Sequence, residues 1–310
     1  MKVRAVKIFS WIIGLFMLCM LFLWIDFKEL SRIFTQIGFM GVVIWALITL
    51  FVRLLYAEIT VLPLSVFEAK ISRMDAFWIG WVRTFANQIL PLSGLAVYIK
   101  AIKDRAGVSW SEISALATPQ FFISAMAVSL LGMISTVIAL DIEDFGLILL
   151  VIYSVIFIIS LVLILQTPSA MRAFPSSLSK RLISSADAFE KISSSPKLIL
   201  LLVIYYCGVI LLRVVRLWLL FMLAGQELDW QTALILGVIA ESTLIIQLTP
   251  GGIGLREGSI LAGAVFMGVD GGLAASVAII DRLLVVSMTV VFVLPSGYFL
   301  WLGRSKVVKE

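Results

Sequence analysis

Charged residues inside apolar runs are the candidates for chemistry in this sequence. A charge at the centre of a membrane-spanning helix costs roughly 2.5 to 3.5 kcal/mol on insertion scales, so each one needs an ionic partner or a hydrated cavity. A cavity lined by such residues would bind a charged ligand. The residues that fall within or near apolar runs are Arg53, Glu58, Arg83, Arg213, Arg216, Glu241, Arg256, Glu257, Asp281 and Arg282.

Adjacent charges in the second half of the chain predict contacts between helices. Arg256 is followed by Glu257, and Asp281 is followed by Arg282. Neighbouring residues on a helix point in different directions, so they cannot satisfy only each other. Each of the four must find a partner on another helix, either in an ion pair that locks the helices together or in a ligand site.

The other charges allow two interpretations, one structural and one functional. Arg213 and Arg216 are three residues apart and share one helix face, which we predict lines a cavity. Glu241 precedes Pro250 by nine residues and is a candidate proton or cation site. Arg53 and Glu58 are candidates for function or for snorkelling to the membrane interface.

One strongly apolar region is broken at the sequence LTPGGIGLREG, positions 248–258. Irregular backbone at membrane depth is tolerated only inside protein or beside a watery cavity. We predict that the break leaves amide groups free at the start of a helix near Leu255, and that this positive helix end and Arg256 attract an anion such as a phosphate. The residues that break the helix are Pro250, Gly251, Gly252 and Gly254.

A second interruption, NQILPLSG, falls within the apolar segment 76–100. We predict a broken helical hairpin that turns at Pro91 and Gly94, and a second broken hairpin over 230–268. Each is either re-entrant or a pair of full spans. The first is the clearer re-entrant hairpin, because its first arm has about 15 residues and a crossing needs about 20.

The composition predicts an all-α polytopic membrane protein with a single transmembrane domain, 1–310. The 310 residues are 62% hydrophobic and 14% charged, with a mean hydropathy of +1.13. A short amphipathic helix is predicted at 27–38, and Trp78 and Trp81 are interpreted as interfacial anchors. Besides the two broken hairpins, six spans are predicted, at 8–25, 39–62, 113–140, 145–166, 198–224 and 273–302.

The residue types of the chain also exclude several functions. There is no histidine, which removes the commonest general base and metal ligand, and Cys19 and Cys207 both fall within predicted spans. We therefore expect no catalytic residue, no metal and no cofactor. The net charge of +5 lies mainly in loops and tails, which favours lipid headgroups as partners and not nucleic acid.

Charged loops give the orientation. The loops 67–75, 100–112 and 167–197 and the C-terminal tail are basic, whereas 141–144 and 225–230 are acidic. Because basic loops stay in the cytoplasm, both termini are predicted to be cytoplasmic.

The two halves carry similar features in the same order. They are separated by a linker, 167–197, that is rich in serine and proline and includes a predicted surface helix at 178–192. We predict two repeats, 39–140 and 198–302, which the charge rule makes inverted. Inverted repeats with broken helices are typical of transporters that bind their substrate near the midplane. The paired features are Arg53 and Arg213, Pro91 and Pro250, and Gly107 and Gly268, which lie 160, 159 and 161 residues apart.

At TPGGIGLREGSILAGAVFMGV, followed by AASVAIIDRLLVV, the sequence resembles the transmembrane region of the lysylphosphatidylglycerol synthase/flippase family. The resemblance extends over about 39–302 and includes ANQILPLSGLAVYIKA. It implies a multi-pass protein of the prokaryotic cytoplasmic membrane that moves an aminoacylated or glycosylated lipid. It also implies a stand-alone member without the cytosolic synthase domain, since the sequence ends eight residues after Leu302. Positions that are commonly charged in the first half of family members read 95–98 LAVY and 120–121 QF here.

Our leading hypothesis is therefore a flippase for a lipid with an anionic headgroup. The headgroup would bind at the glycine-rich break and the arginines, with Glu257 and Asp281 orienting those arginines. One alternative is a non-transporting accessory subunit of an envelope glycosyltransferase or a lipid-modifying enzyme. A membrane-embedded transferase is a further alternative, for which the carboxylates are the only basis.

Overall fold

The computed structural model describes residues 27–90, 93–140, 145–172, 186–187, 189–246 and 249–307. These residues form helices and connecting turns, with no β-strand among them. In chain order the helices that build the fold are α1 (Phe27–Leu64), α2 (Arg73–Ile89), α3 (Ser93–Ala106), α4 (Trp110–Ala139), α5 (Phe145–Arg172), α6 (Pro196–Leu223), α7 (Trp230–Ile246), α8 (Leu255–Phe266) and α9 (Gly271–Val307).

Helix length and apolar composition confirm a polytopic membrane protein. Within the described residues, five helices are long and apolar enough to cross a membrane, and they correspond to five of the six predicted spans. The predicted span at 8–25 lies outside the described residues. The five candidate spans are Leu30–Phe67, Leu116–Ala139, Phe145–Thr167, Pro196–Leu223 and Gly271–Leu300.

The predicted amphipathic helix at 27–38 is the first part of α1. Gly38 has φ +60° and ψ 178°, a conformation that glycine adopts without strain, and it separates this part from the rest of the helix. Ile33 and Ile37 in the first part are fully buried in a core that also contains Leu217 and Val277. The kink therefore directs the beginning of α1 onto the second half of the protein.

Each broken segment forms two packed helices of less than full membrane length. In the first, Ser72 caps α2 by accepting a hydrogen bond from the Asp75 amide at 3.0 Å, and the chain turns back into α3 after Leu90. The two helices have 17 and 14 residues. In the second, α7 and α8 pack together and have 17 and 12 residues.

The helices of the two halves make matching contacts. In each half the first helix packs on the second, the second packs on the third, and the third packs on the fourth. Between the halves, α1 packs on α6. The contact of α4 with α7 has its counterpart in α9 with α2, and that of α4 with α6 has its counterpart in α9 with α1. Helix α5 packs along α4.

The described part of the linker lies against the bundle. Residues 189–193 are helical, within the predicted surface helix at 178–192. Phe189 and Ile192 are each 1% exposed, and Phe189 packs against Phe67 and Phe122. This end of the segment is therefore anchored to the first half of the protein by apolar contacts.

Candidate functional site

A cavity of about 430 Å³ lies among the helices, and arginine side chains dominate its charge. Every helix from α1 to α9 except α5 contributes to its wall. Glu241 is the only carboxylate among the described residues that line it. The arginines that line it are Arg53, Arg83, Arg213, Arg216, Arg256 and Arg282.

Asp281 on α9 joins four helices just behind the cavity wall. Its side chain is fully buried, and its Oδ1 accepts a hydrogen bond from Trp45 Nε1 of α1 at 2.9 Å. Its Oδ2 accepts hydrogen bonds from Arg256 Nη1 of α8 at 2.6 Å and from Arg216 Nη2 of α6 at 3.2 Å. Two arginines and an indole N–H thus offset the cost of burying one carboxylate.

Glu241 on α7 is the second acidic residue of the network. One of its oxygens contacts Arg213 in an ion pair, and the other lies 3.7 Å from Arg256 Nε. The prediction that Glu241 is a proton or cation site is wrong in this geometry, because any added cation would meet two arginines of like charge. Arg213 also lies over the ring of Tyr56, with its Cζ 5.4 Å from the ring centroid.

The break between α7 and α8 is closed by its own hydrogen bonds. Pro250–Gly252 forms a 3₁₀ turn, and α8 begins at Leu255, as the sequence predicts. The Gly252 amide donates to the Thr249 carbonyl at 3.1 Å, and the Gly254 amide donates to Glu257 Oε2 at 2.8 Å. The prediction that the break leaves its amides free is therefore wrong for these two groups.

Arg282 on α9 ties the break to the rest of the site. Its Nη1 donates to the Gly251 carbonyl at 2.7 Å and lies 3.8 Å from Glu257 Oε1. Gly251 has φ +57°, and a Cβ at this position would lie 2.9 Å from Arg282 Nη2. The glycine is therefore needed both for its backbone conformation and for the close approach of the guanidinium.

The first half supplies two arginines that rest on aromatic rings. Arg53 Cζ lies 4.4 Å from the centroid of Trp81, and Arg83 Cζ lies 4.8 Å from that of Tyr98. The interpretation of Arg53 as an interfacial residue is wrong, since it lines the cavity. Its matching position to Arg213, 160 residues later, was the sequence signal that pointed there.

Two other residues with an interfacial interpretation have different roles. Trp81 is fully buried and stacks on Phe292, with ring centroids 4.6 Å apart, so it is not an interfacial anchor. Trp78 is partly buried and stacks on Phe299 at 4.9 Å. Glu58 forms an ion pair with Arg73, whose side chain is 74% exposed, away from the cavity.

The remaining predicted site residues lie behind the cavity wall or outside it. Gly94 brings α2 and α3 together: its amide donates to Asn87 Oδ1 at 2.8 Å, and a Cβ here would overlap the Arg83 carbonyl oxygen. Pro91 lies outside the described residues. Among those described, no group of three or more His, Cys, Asp or Glu side chains could hold a metal ion. The predicted residues that contact the wall without lining the cavity are Pro250, Gly254, Glu257 and Asp281.

A bundle of membrane-crossing helices around an ionic interior cavity defines a multi-pass membrane protein with an internal polar site. Residues 11–293 match the family described as Lysylphosphatidylglycerol synthase TM region. The match covers most of the chain, and the protein belongs to this family.

One curated relative matches a short part of the chain. It is the protein called UPF0104 membrane protein from the archaeon Methanothermobacter thermautotrophicus, 36% identical over 74 residues. The aligned segment covers 24% of this chain and 22% of the relative. No solved structure matches the chain.

Proposed function

We propose that this protein moves the headgroup of an anionic lipid, aminoacylated or glycosylated, across the membrane through the arginine-lined cavity. The observation that carries the proposal is the charge of the wall: six arginines and one carboxylate surround a cavity inside a membrane-crossing bundle. Buried positive charge is costly, and an anionic headgroup offsets that cost when it enters. The acyl chains would remain in the lipid.

A route from the lipid to the cavity is supported by Phe121. Its side chain lines the cavity and is also 47% exposed on the outside of α4. The residue belongs to the candidate span Leu116–Ala139, so the cavity reaches a surface that faces lipid. A lipid entering here would bring its headgroup to the arginines without passing through either aqueous phase.

The helix pairings support an inverted-repeat transporter. The repeats would be α1 to α4 and α6 to α9, whose contacts correspond one to one. The broken segments would be re-entrant, since no arm reaches the ~20 residues of a crossing. With both termini cytoplasmic, the two hairpins would enter the cytoplasmic membrane from opposite sides and meet at the cavity, the arrangement expected of a midplane site.

The test is lipid movement in proteoliposomes. Fluorescent phosphatidylglycerol, lysylphosphatidylglycerol and an undecaprenyl-linked sugar would each be followed by quenching from the outside. We expect wild type to move at least one of them, and Arg213→Gln to move it about tenfold more slowly, since one charge-assisted hydrogen bond is worth about 1.5 to 3 kcal/mol. Glu241 retains Arg256 nearby in this variant.

Arg73→Gln is the matched control, because it removes the same charge from an exposed position. It should transport like wild type. If wild type moves none of the three lipids and instead co-purifies with an envelope glycosyltransferase or a lipid-modifying enzyme, the accessory-subunit alternative replaces this proposal.

A further inference from the structure

The charges of the site do not balance, and the excess lies in the first half of the protein. The six lining arginines are accompanied by three carboxylates: Glu241, Glu257 and Asp281. All of the ion pairs that these carboxylates make lie within α6 to α9. Among the described residues, Arg53 on α1 and Arg83 on α2 have no carboxylate partner. An occupant of the cavity must therefore supply the missing negative charge.

The internal repeat shows why the first half lacks counter-charges. At the offset of 161 residues that relates Gly107 to Gly268, Asp281 corresponds to Gln120. Gln120 lines the cavity and donates from Nε2 to the Ile59 carbonyl at 3.1 Å, so it is a neutral residue with a structural bond. The arginine that α1 contributes is thus retained, while the acidic residue that would have faced it is replaced by an amide.

Arg53 has unfulfilled bonding capacity in the cavity. Its Nε is buried and has no hydrogen-bond partner. It lies within electrostatic range of Arg213, Arg216 and Arg83, all of the same sign. The ring of Trp81 offsets part of this repulsion through its π face but accepts no strong hydrogen bond from the guanidinium.

Further buried donors on the same cavity wall also lack partners. Thr249 is 1% exposed and Trp81 is fully buried, and neither Thr249 Oγ1 nor Trp81 Nε1 has a hydrogen-bond partner. Arg282 Nη2 is likewise unsatisfied. All of these groups can donate and all belong to cavity-lining residues, so the complementary ligand is rich in acceptor oxygens and carries more than one negative charge.

We propose that Arg53 and Arg83 form a subsite for a phosphate group with two or more negative charges, a phosphomonoester or a diphosphate. A phosphomonoester carries about −1.5 to −2 at neutral pH and has three acceptor oxygens. A phosphodiester brings a single charge, and a lysyl-phospholipid brings ammonium groups that the arginines repel. The proposed function is assumed only in taking the natural source of this phosphate to be a lipid.

Binding, and not transport, tests the subsite, so its failure is distinguishable from failure of the proposed function. Purified protein in neutral detergent would be titrated calorimetrically with dihexanoyl phosphatidic acid, dihexanoyl phosphatidylglycerol and dihexanoyl lysylphosphatidylglycerol. We expect the phosphomonoester to bind at least about tenfold more tightly than the phosphodiester, with the lysyl lipid weakest. Equal affinities, or tightest binding of the lysyl lipid, would overturn the subsite even if the protein transports lipid.

Variants locate the preference, and inorganic pyrophosphate identifies its source. Arg53→Gln and Arg83→Gln should each lower phosphatidic acid affinity about 10- to 100-fold while changing phosphatidylglycerol affinity less, and Arg73→Gln should leave both unchanged. An undiminished preference in both cavity variants contradicts the assignment. Pyrophosphate that only competes weakly supports a lipid source, whereas pyrophosphate binding as tightly as phosphatidic acid supports the phosphate subsite and assigns it to a soluble ligand. The wild-type comparison decides the matter if a variant does not fold.

Discussion

Trp45 and Asp281 are 236 residues apart in the sequence and are joined by a hydrogen bond of 2.9 Å inside the bundle. The indole of the first described helix thereby donates to the most deeply buried carboxylate of the last. Arg216 lies over the same indole ring, with its Cζ 4.8 Å from the centroid. The tryptophan therefore contacts both signs of the ionic network.

Trp45→Phe should destabilise the protein through this bond. A hydrogen bond to a charged group contributes about 1.5 to 3 kcal/mol, so the free energy of unfolding should fall by about that amount. Trp218→Phe is the matched control, because Trp218 Nε1 donates to the neutral Leu228 carbonyl, also at 2.9 Å. Its effect should be about 0.5 to 1.5 kcal/mol. Thermal unfolding in detergent measures both, and equal effects would contradict the special role of Asp281.

Asp281→Asn should be among the most damaging substitutions in the chain. It leaves Arg216 and Arg256 facing a neutral amide in a buried position, and breaking a buried ion pair by removing one partner costs about 3 to 5 kcal/mol. Adding Arg256→Gln removes one charge of the opposite sign. The double variant should therefore unfold at a higher temperature than Asp281→Asn alone. A double variant with the summed loss of the two single variants would show that the residues act independently.

Gly94→Ala should disrupt the packing of α2 on α3. The added methyl group would overlap the Arg83 carbonyl oxygen, which belongs to helical backbone and cannot move aside as a side chain can. We expect a loss of about 1 to 3 kcal/mol in unfolding free energy. Gly297→Ala is the control: this glycine lies inside α9 with nothing within 4 Å of an added Cβ, so alanine should be neutral or slightly stabilising. A neutral Gly94→Ala would show that the hairpin relaxes.

The inverted-repeat proposal predicts the sidedness of two exposed loop positions. Lys70 lies between α1 and α2, and Glu227 lies at the corresponding point between α6 and α7. In a background without Cys19 and Cys207, a single cysteine at each position would be labelled with a membrane-impermeant maleimide in intact cells. We expect Glu227→Cys to react and Lys70→Cys to react only after lysis. Labelling of both from the same side would exclude inversion.

Span positions were predictable because they depend on local composition. The predicted span at 198–224 corresponds to Pro196–Leu223, and the predicted span at 145–166 corresponds to Phe145–Thr167. A run of apolar residues of sufficient length can avoid the cost of unsatisfied backbone in lipid only as a helix, whatever its neighbours are. The break at Pro250 was predictable for the same reason, since proline and glycine act on the backbone locally.

Partner choice in the site was not predictable, because it depends on how the helices pack. The adjacency of Asp281 and Arg282 required partners on other helices, but not that Asp281 would bond Arg216 while Arg282 bonded the Gly251 carbonyl. Arg53 was mistaken for an interfacial residue because a sequence does not show that a buried indole lies beneath it. The occupied Gly254 amide did have a sequence signal: Glu257, three residues later, has the spacing of a capping carboxylate.

The ionic network also constrains the order in which the chain enters the membrane. Arg216 precedes Asp281 by 65 residues, so at about 5 to 20 residues per second the ribosome supplies its acidic partner roughly 3 to 13 s after the arginine. During that interval its other contacts, Thr49 Oγ1 at 3.3 Å and the Trp45 ring, come from a helix that has already been made. α1 is therefore the intramolecular chaperone of α6, retaining an arginine-bearing helix in the bilayer until translation of α9 completes the charge pair.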